Sequence, residues 1–253
     1  MIAPAMSQAR FADPVGGLLE GRDLVQAFGA THALRGVSLA VAPGEVVAIT
    51  GPSGSGKSTL LHCLCGILTP DGGEVSYAGE RIDARSDAHR SILRRTAFGI
   101  LFQFGQLVPE LTAVENVALP LLLGGRRRGA ALAAAGDALD RLGVGELAPK
   151  RPGEMSGGQG QRVALARALV TSPRVLFADE PTGALDSLAG EQVLAGLVRL
   201  SRDEGTAVLM VTHDAAVAAY ADREVVMRDG ELVETGGPNG LVPVGAALTG
   251  ARA

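Results

Sequence analysis

Two cysteines, Cys63 and Cys65, are all that the 253-residue chain contains. They cannot build a disulfide framework, and two positions apart on a helix they point in different directions. They read as small buried hydrophobes. No Cys/His cluster stands at ligand spacing, so a zinc module is not expected. A basic excess is also missing. The net charge is −4, which argues against a general nucleic-acid binder. No apolar run approaches the about 18 residues that mark a membrane-spanning helix. The longest, such as residues 117–123, are far shorter and contain Pro120. The first residues carry one basic side chain and no long apolar stretch, so no secretory leader is expected. Internal repeats are absent as well.

What remains is a chain with 47% hydrophobic and 20% charged residues, enough for one large α/β domain or two modest ones. Residues 1–17 are rich in Ala, Pro and Gly and read as a loose tail. Residues 37–41 alternate as a strand, and 45–50 (EVVAIT) read as a buried one. A Gly-rich loop follows, then a helix over about 57–67, stopped by Thr69-Pro70-Asp71-Gly72-Gly73. Residues 74–79 read as a short strand and turn, and 98–102 (FGILF) as a buried strand. From about 104 to 168, Ala, Leu and Arg fall at helical spacing, which predicts a helical insertion. The runs 174–178 and 207–212 are the next strands, and a hairpin turns around Asp229-Gly230. Continuous apolar strands alternating with helices imply a mainly parallel sheet covered on both faces. Ligands of such sheets sit beyond the strands' carboxyl ends. Gly51, Gln103, Asp179 and His213 all fall there.

The stretch Gly51-Pro52-Ser53-Gly54-Ser55-Gly56-Lys57-Ser58-Thr59 fits a phosphate loop, placed as the chemistry requires between a strand and a helix. Its glycines let backbone N–H groups approach phosphate oxygens, and the helix N-terminus adds its positive end. Lys57 suits the β- and γ-phosphates and the Ser58 hydroxyl suits Mg²⁺. Asp179 ends a buried strand and is placed to hold Mg²⁺, with Glu180 beside it as general base for the attacking water. Gln103 is expected to contribute to Mg²⁺ or water positioning, and His213 to bond the γ-phosphate. A second Gly-rich stretch, Met155-Ser156-Gly157-Gly158-Gln159, opens a helix of its own. One nucleotide does not need two such surfaces on one small domain. Two copies facing each other, each completing the other's site, account for both.

Taken in order, these residues resemble the nucleotide-binding subunits of ABC transporters, over about residues 18–236. GPSGSGKST is similar to that family's Walker A, and Gln103 falls in its Q-loop. MSGGQGQR is similar to its signature motif, and RVLFADEPT to Walker B with Glu180 as catalytic glutamate. Gly183-Ala184-Leu185-Asp186 resembles the D-loop and His213 the switch histidine. Phe28 stands where the family stacks an aromatic on adenine; ordinary core packing is its alternative. The resemblance implies a P-loop NTPase core with a mainly parallel sheet, an N-terminal antiparallel β subdomain and the helical insertion at about 104–168. The tail over 237–253 is then peripheral. It implies ATP and Mg²⁺ as cofactors, with Ser58, Gln103 and Asp179 at the metal and Lys57, Gln103, Glu180 and His213 in catalysis. It implies a head-to-tail homodimer in which Ser156, Gly157, Gly158 and Gln159 meet the partner's nucleotide, held there by residues 51–59 and Phe28. A place at the cytoplasmic face of a membrane, on an integral permease and without nucleic acid, follows from it.

Phe102-Gln103-Phe104, Leu107 to Thr112 and Glu115-Asn116-Val117 look like the macrolide-export and lipoprotein-release branch. Its permeases mostly have a large extracytoplasmic domain. That implies export, or extracytoplasmic release, of a hydrophobic or peptide-like substrate; a mechanotransmission ATPase regulating a cell-envelope enzyme is the alternative. Phe104, Leu107, Val108 and Leu111 would line the groove for the permease's coupling helix or pack within the helical subdomain. Met155 replaces the usual Leu, Gly160 stands where Gln is usual, and Gly105 is atypical; none removes a catalytic group. Arg126-Arg127-Arg128 reads as a solvated helix start.

Overall fold

The computed structural model describes residues 17–103, 106–183, 185 and 187–233. The expectations for the two tails, apart from Gly17, and for Phe104, Gly105, Ala184 and Asp186 lie outside the described residues.

Four strands form an antiparallel sheet: β1 (Leu19–Phe28), β2 (Thr31–Val41), β4 (Gly72–Tyr77) and β5 (Glu80–Arg81), in the order β2-β1-β4-β5. Six form the second sheet: β3 (Val46–Thr50), β6 (Phe98–Leu101), β7 (Val175–Asp179), β8 (Ala207–Val211), β9 (Arg223–Arg228) and β10 (Glu231–Val233). Their order is β10-β9-β3-β8-β7-β6. Every pairing in this sheet is parallel except β9 with β10. β3, β7 and β8 are buried at every position, as strands covered on both faces must be.

Between β3 and β4 runs α1 (Lys57–Leu64). It stops short of the expected residue 67, because the chain turns at Gly66 with φ +70° and the His62 carbonyl accepts from both Ile67 and Leu68. Two elements were not legible in advance. The helix α2 (Asp87–Thr96) has no fully buried residue, and its only apolar residues are Ala88, Ile92 and Leu93, too few to read as a helical stripe. In β1, register shifts interrupt the alternation between Gly21 and Leu24 and again near Gln26.

Three helices lie between β6 and β7: α3 (Ala113–Leu123), α4 (Arg128–Arg141) and α5 (Gly157–Leu169). Thr112 and Glu115 form a capping box that starts α3. The buried face of α4 is small, with Ala131, Ala135 and Ala138 beside Leu139. Asn116, fully buried on α3, accepts from the Val108 N–H and donates to the carbonyls of Val108, Leu111 and Thr112. It pins the segment that follows Gln103. Leu107, in that segment, packs against the cores under α5 and the helical layer. After β7 come α6 (Ser187–Glu204) and, beyond β8, the short α7 (Ala215–Ala218).

The two sheets share one core, and aromatic rings stitch them together. Tyr77 on β4 meets Phe98 on β6 edge to face at 4.9 Å, and Phe98 meets Phe177 on β7 at 5.3 Å. Such pairs add to simple area burial. Truncating Phe177 to Ala should therefore cost about 3–5 kcal/mol, read as a lower denaturant midpoint at unchanged slope.

Candidate functional site

Parallel register decides where the chemistry sits. β3 pairs with β8 so that Ile49 lies beside Val211, and β7 pairs with β8 so that Asp179 does too. The segments leaving β3, β7 and β8 therefore emerge side by side at one edge. Gln103, two residues beyond β6, is exposed at the same edge.

The phosphate loop leaves β3 at Gly51, with φ +138°, and enters α1 through Gly56, with φ +102°. A Cβ on Gly51 would run into the Met227 carbonyl oxygen, and one on Gly56 into that of Ala33. Only glycine satisfies both the torsion and the space. No side chain caps α1 and no acidic residue lies in its first turn, so its N–H groups face the loop's concavity uncontested. Ser55 Oγ is buried there with no hydrogen-bond partner among the described residues. An orphan of this kind costs about 1–3 kcal/mol unless a ligand answers it. Lys57 Nζ donates to the carbonyls of Gly51 and Pro52, both at 2.8 Å. Burial holds its pKa below the usual lysine value, opposed by the carboxylates of Glu180 and Asp179. Ser53 and Gly54 form the exposed rim and Thr59 is half-buried. An anion with several oxygens fits this cradle.

Asp179 ends β7 and is 7% exposed. Burial pushes its carboxyl above the ordinary range; the Ser58 hydroxyl bonded to it pulls the other way, and neighbouring Glu180 adds to the rise. A hydroxyl and a buried carboxylate in contact are a donor set of hard oxygens, suited to Mg²⁺. A cation would relieve the burial penalty that Asp179 bears.

Glu180 follows in a left-handed conformation, φ +51°, unusual for a residue with a long side chain. Its N–H donates to the Val211 carbonyl at 2.9 Å. Its carboxylate is gripped by the exit of β8: Thr212 Oγ1 donates to Oε2 at 3.4 Å, and His213 Nδ1 lies 2.7 Å from Oε1. The His213 ring is otherwise open to solvent, 77% exposed.

Phe28, at the end of β1, is 53% exposed, so core packing does not account for it. Ser156 caps α5: its Oγ accepts from the Gln159 N–H at 3.3 Å, and Gln159 Oε1 accepts from the Ser156 N–H at 2.9 Å. The Gln159 side chain is thus engaged in a capping box. Gly157 and Gly158 form the first turn behind it. The structure brings together Lys57, Ser58, Asp179, Glu180, Thr212 and His213. Among the described residues, no hydrogen bond joins Phe28, Gln103 or residues 156–159 to that group. A Cβ on Gly160 would meet nothing within 4 Å, so no crowding calls for glycine there.

Gln161 lies within the signature-like MSGGQGQR stretch, but its residue type and position alone assign it no role. It is 3% exposed, and its Nε2 donates to the carbonyls of Glu180 and Pro181, both at 3.4 Å. One signal was present: Ala164, Leu165 and Ala168, three, four and seven positions on, are all buried, so Gln161 sits on an inward face.

The family model described as ABC transporter matches residues 34–183. The chain belongs to the ATP-binding proteins of ABC transporters. Among its relatives, the lipoprotein-releasing system ATP-binding protein LolD of Geobacter metallireducens is 43% identical over 220 residues, spanning 85% of this chain and 98% of that protein. LolD of Hyphomonas neptunium is 42% identical over 208 residues, spanning 82% and 91%. A solved dimeric ATP-binding cassette in a post-hydrolysis state, bound to ADP and Pi, is 36% identical with a TM-score of 0.84. It covers 88% of this chain and is itself covered completely. This ABC protein binds ATP and is an ATPase, built on the P-loop NTPase fold.

In this ABC ATPase the Glu180 carboxylate holds His213 above the ordinary histidine pKa. The protonated ring donates to Glu180, so the contact is complete below the ordinary value of about 6.5 and is lost as pH rises through the elevated one. Ring-proton NMR of the nucleotide-free protein should show that elevation. Glu180→Gln should lower the His213 pKa toward the ordinary histidine range.

Proposed function

We propose that this ABC ATPase works as a head-to-tail dimer that drives a membrane permease releasing lipid-anchored lipoproteins from a membrane. The observation that carries the substrate class is the identity to LolD proteins, at 42–43% over more than nine-tenths of their length.

The phosphate loop's amides and Lys57 hold the nucleotide's phosphates, and Phe28 offers its exposed ring to the adenine. Ser58, Asp179 and Gln103 would hold Mg²⁺, which would supply positive charge against the phosphates. Glu180 accepts the proton of the attacking water, and His213 turns from Glu180 to the γ-phosphate. Ser156, Gly157 and Gly158 of a second copy complete the site with a hydroxyl, backbone N–H groups and the start of α5. Catalysis is then positioning and charge stabilisation. The loss of the γ-phosphate removes what holds the two copies closed.

A docking face for the permease is supported beside the Q-loop. A cleft of about 210 Å³ lies between Phe102, Gln106, Pro120, Arg94 and Arg167. Arg95 joins α2 to α3 by donating to the Leu123 carbonyl, and each helix leaves one large apolar side chain exposed, Ile92 and Leu123. Among the described residues no helix is long and apolar enough to cross a membrane. Attachment at the cytoplasmic face therefore rests on the permease.

The Glu180→Gln variant should bind ATP, elute as a dimer in its presence and fail to hydrolyse it. Reconstituted in vesicles with the permease that co-purifies, wild type should release an acylated lipoprotein on ATP addition and the variant should not. Hydrolysis without any release would favour the envelope-regulating reading instead.

A further inference from the structure

We propose that Gln161 is a positioning residue: it ties the peptide of the catalytic glutamate to the helix that the signature motif opens. The proposal rests on the role given to Glu180 above.

The turn at Glu180 is short of donors. Its own N–H is engaged with Val211, and Pro181 has none to offer. Its carbonyl accepts from the Gly183 N–H at 3.2 Å. Gln161 supplies the remaining support, reaching the two consecutive carbonyls with one amide group. A carboxamide has two donors in a fixed plane, so a single side chain can bridge adjacent acceptors. Glu180 is consequently held from two sides. Thr212 and His213, just beyond β8, grip the carboxylate, and Gln161, from α5, grips the backbone. A left-handed glutamate persists only where its surroundings over-determine it. These contacts are what over-determine it.

The same helix has two further attachments. It begins at Ser156, the group offered to the partner's nucleotide. Near its other end Arg167 Nη1 donates to the Gln106 carbonyl at 2.9 Å, in the segment beyond Gln103. Gln161 lies between them. Through it, a displacement of α5 against the partner reaches the peptide that aims this protomer's own Glu180. The two sites of a dimer are then linked through a rigid element rather than through a flexible loop.

The test uses the full chain with Gln161→Leu and, as a second apolar variant of closely similar volume, Gln161→Met. Misplacing a catalytic group by on the order of 1 Å costs up to about 100-fold in rate. At least one variant should fold and lose about 10- to 100-fold in kcat. Its KM for ATP should be unchanged, and so should the ATP-dependent dimer seen when Glu180→Gln is added. The His213 ring should titrate closer to an unperturbed histidine, because its partner carboxylate is no longer aimed at it. Unchanged kcat or an unchanged His213 titration in a folded variant overturns the proposal. So does a fall in kcat that comes only with loss of ATP binding. If Glu180→Gln alone still turned over, the base role would be at fault, and the His213 titration would still report whether Gln161 holds the turn.

Discussion

Three buried strands, β3, β7 and β8, run parallel and in register, and everything functional in this molecule depends on that constraint. Because Ile49 and Asp179 both pair with Val211, the chain leaves all three strands at one edge. Lys57, the Asp179-Glu180 pair and His213 are far apart in sequence and adjacent there. The apolar strands supply the burial that makes this edge rigid. Burial in turn makes a lone charge expensive, which is why Asp179 and Lys57 depart from ordinary ionisation and why a nucleotide with its cation is welcome.

A second constraint runs across the first. α5 begins with the capped Ser156, passes behind Glu180 at Gln161 and reaches the post-Gln103 segment at Arg167. One straight helix of about 20 Å thus touches the surface for a second copy, the hydrolytic turn and the cleft proposed for the permease. No side chain of residues 156–159 bonds to the phosphate loop of its own chain among the described residues. In the proposed dimer, Ser156 and the phosphate loop are two half-sites that a second copy completes.

Much of this was legible in the sequence where function is written in contiguous residues. The phosphate loop announces itself because strand, glycines and helix must follow one another directly. Asp179-Glu180 and His213 stand out because each ends a buried apolar run. The parallel sheet was legible for the same reason. What the sequence does not show depends on how the folded backbone is arranged rather than on residue order. Gln161 and Asn116 are polar residues whose meaning lies in carbonyls that folding delivers to them. α2 escaped because it carries too few apolar residues, and β1 because its bulges break the period of two. The sequence predicts α1 three residues too long, since a Gly turn within an apolar stretch looks like more helix. For Leu107 the sequence allows a groove or internal packing, and the structure packs it.

The composite site is the centre of the account, and mixing two inactive variants tests it most directly. Lys57→Ala removes one half-site and Ser156→Arg the other, so neither protein alone should hydrolyse ATP. Mixed, they can form a dimer in which an intact phosphate loop of one copy faces an intact Ser156 of the other. ATP hydrolysis should reappear in the mixture and rise as the two are brought to equal amounts. Activity in either variant alone, or a mixture as silent as its components, would contradict a site shared between two copies.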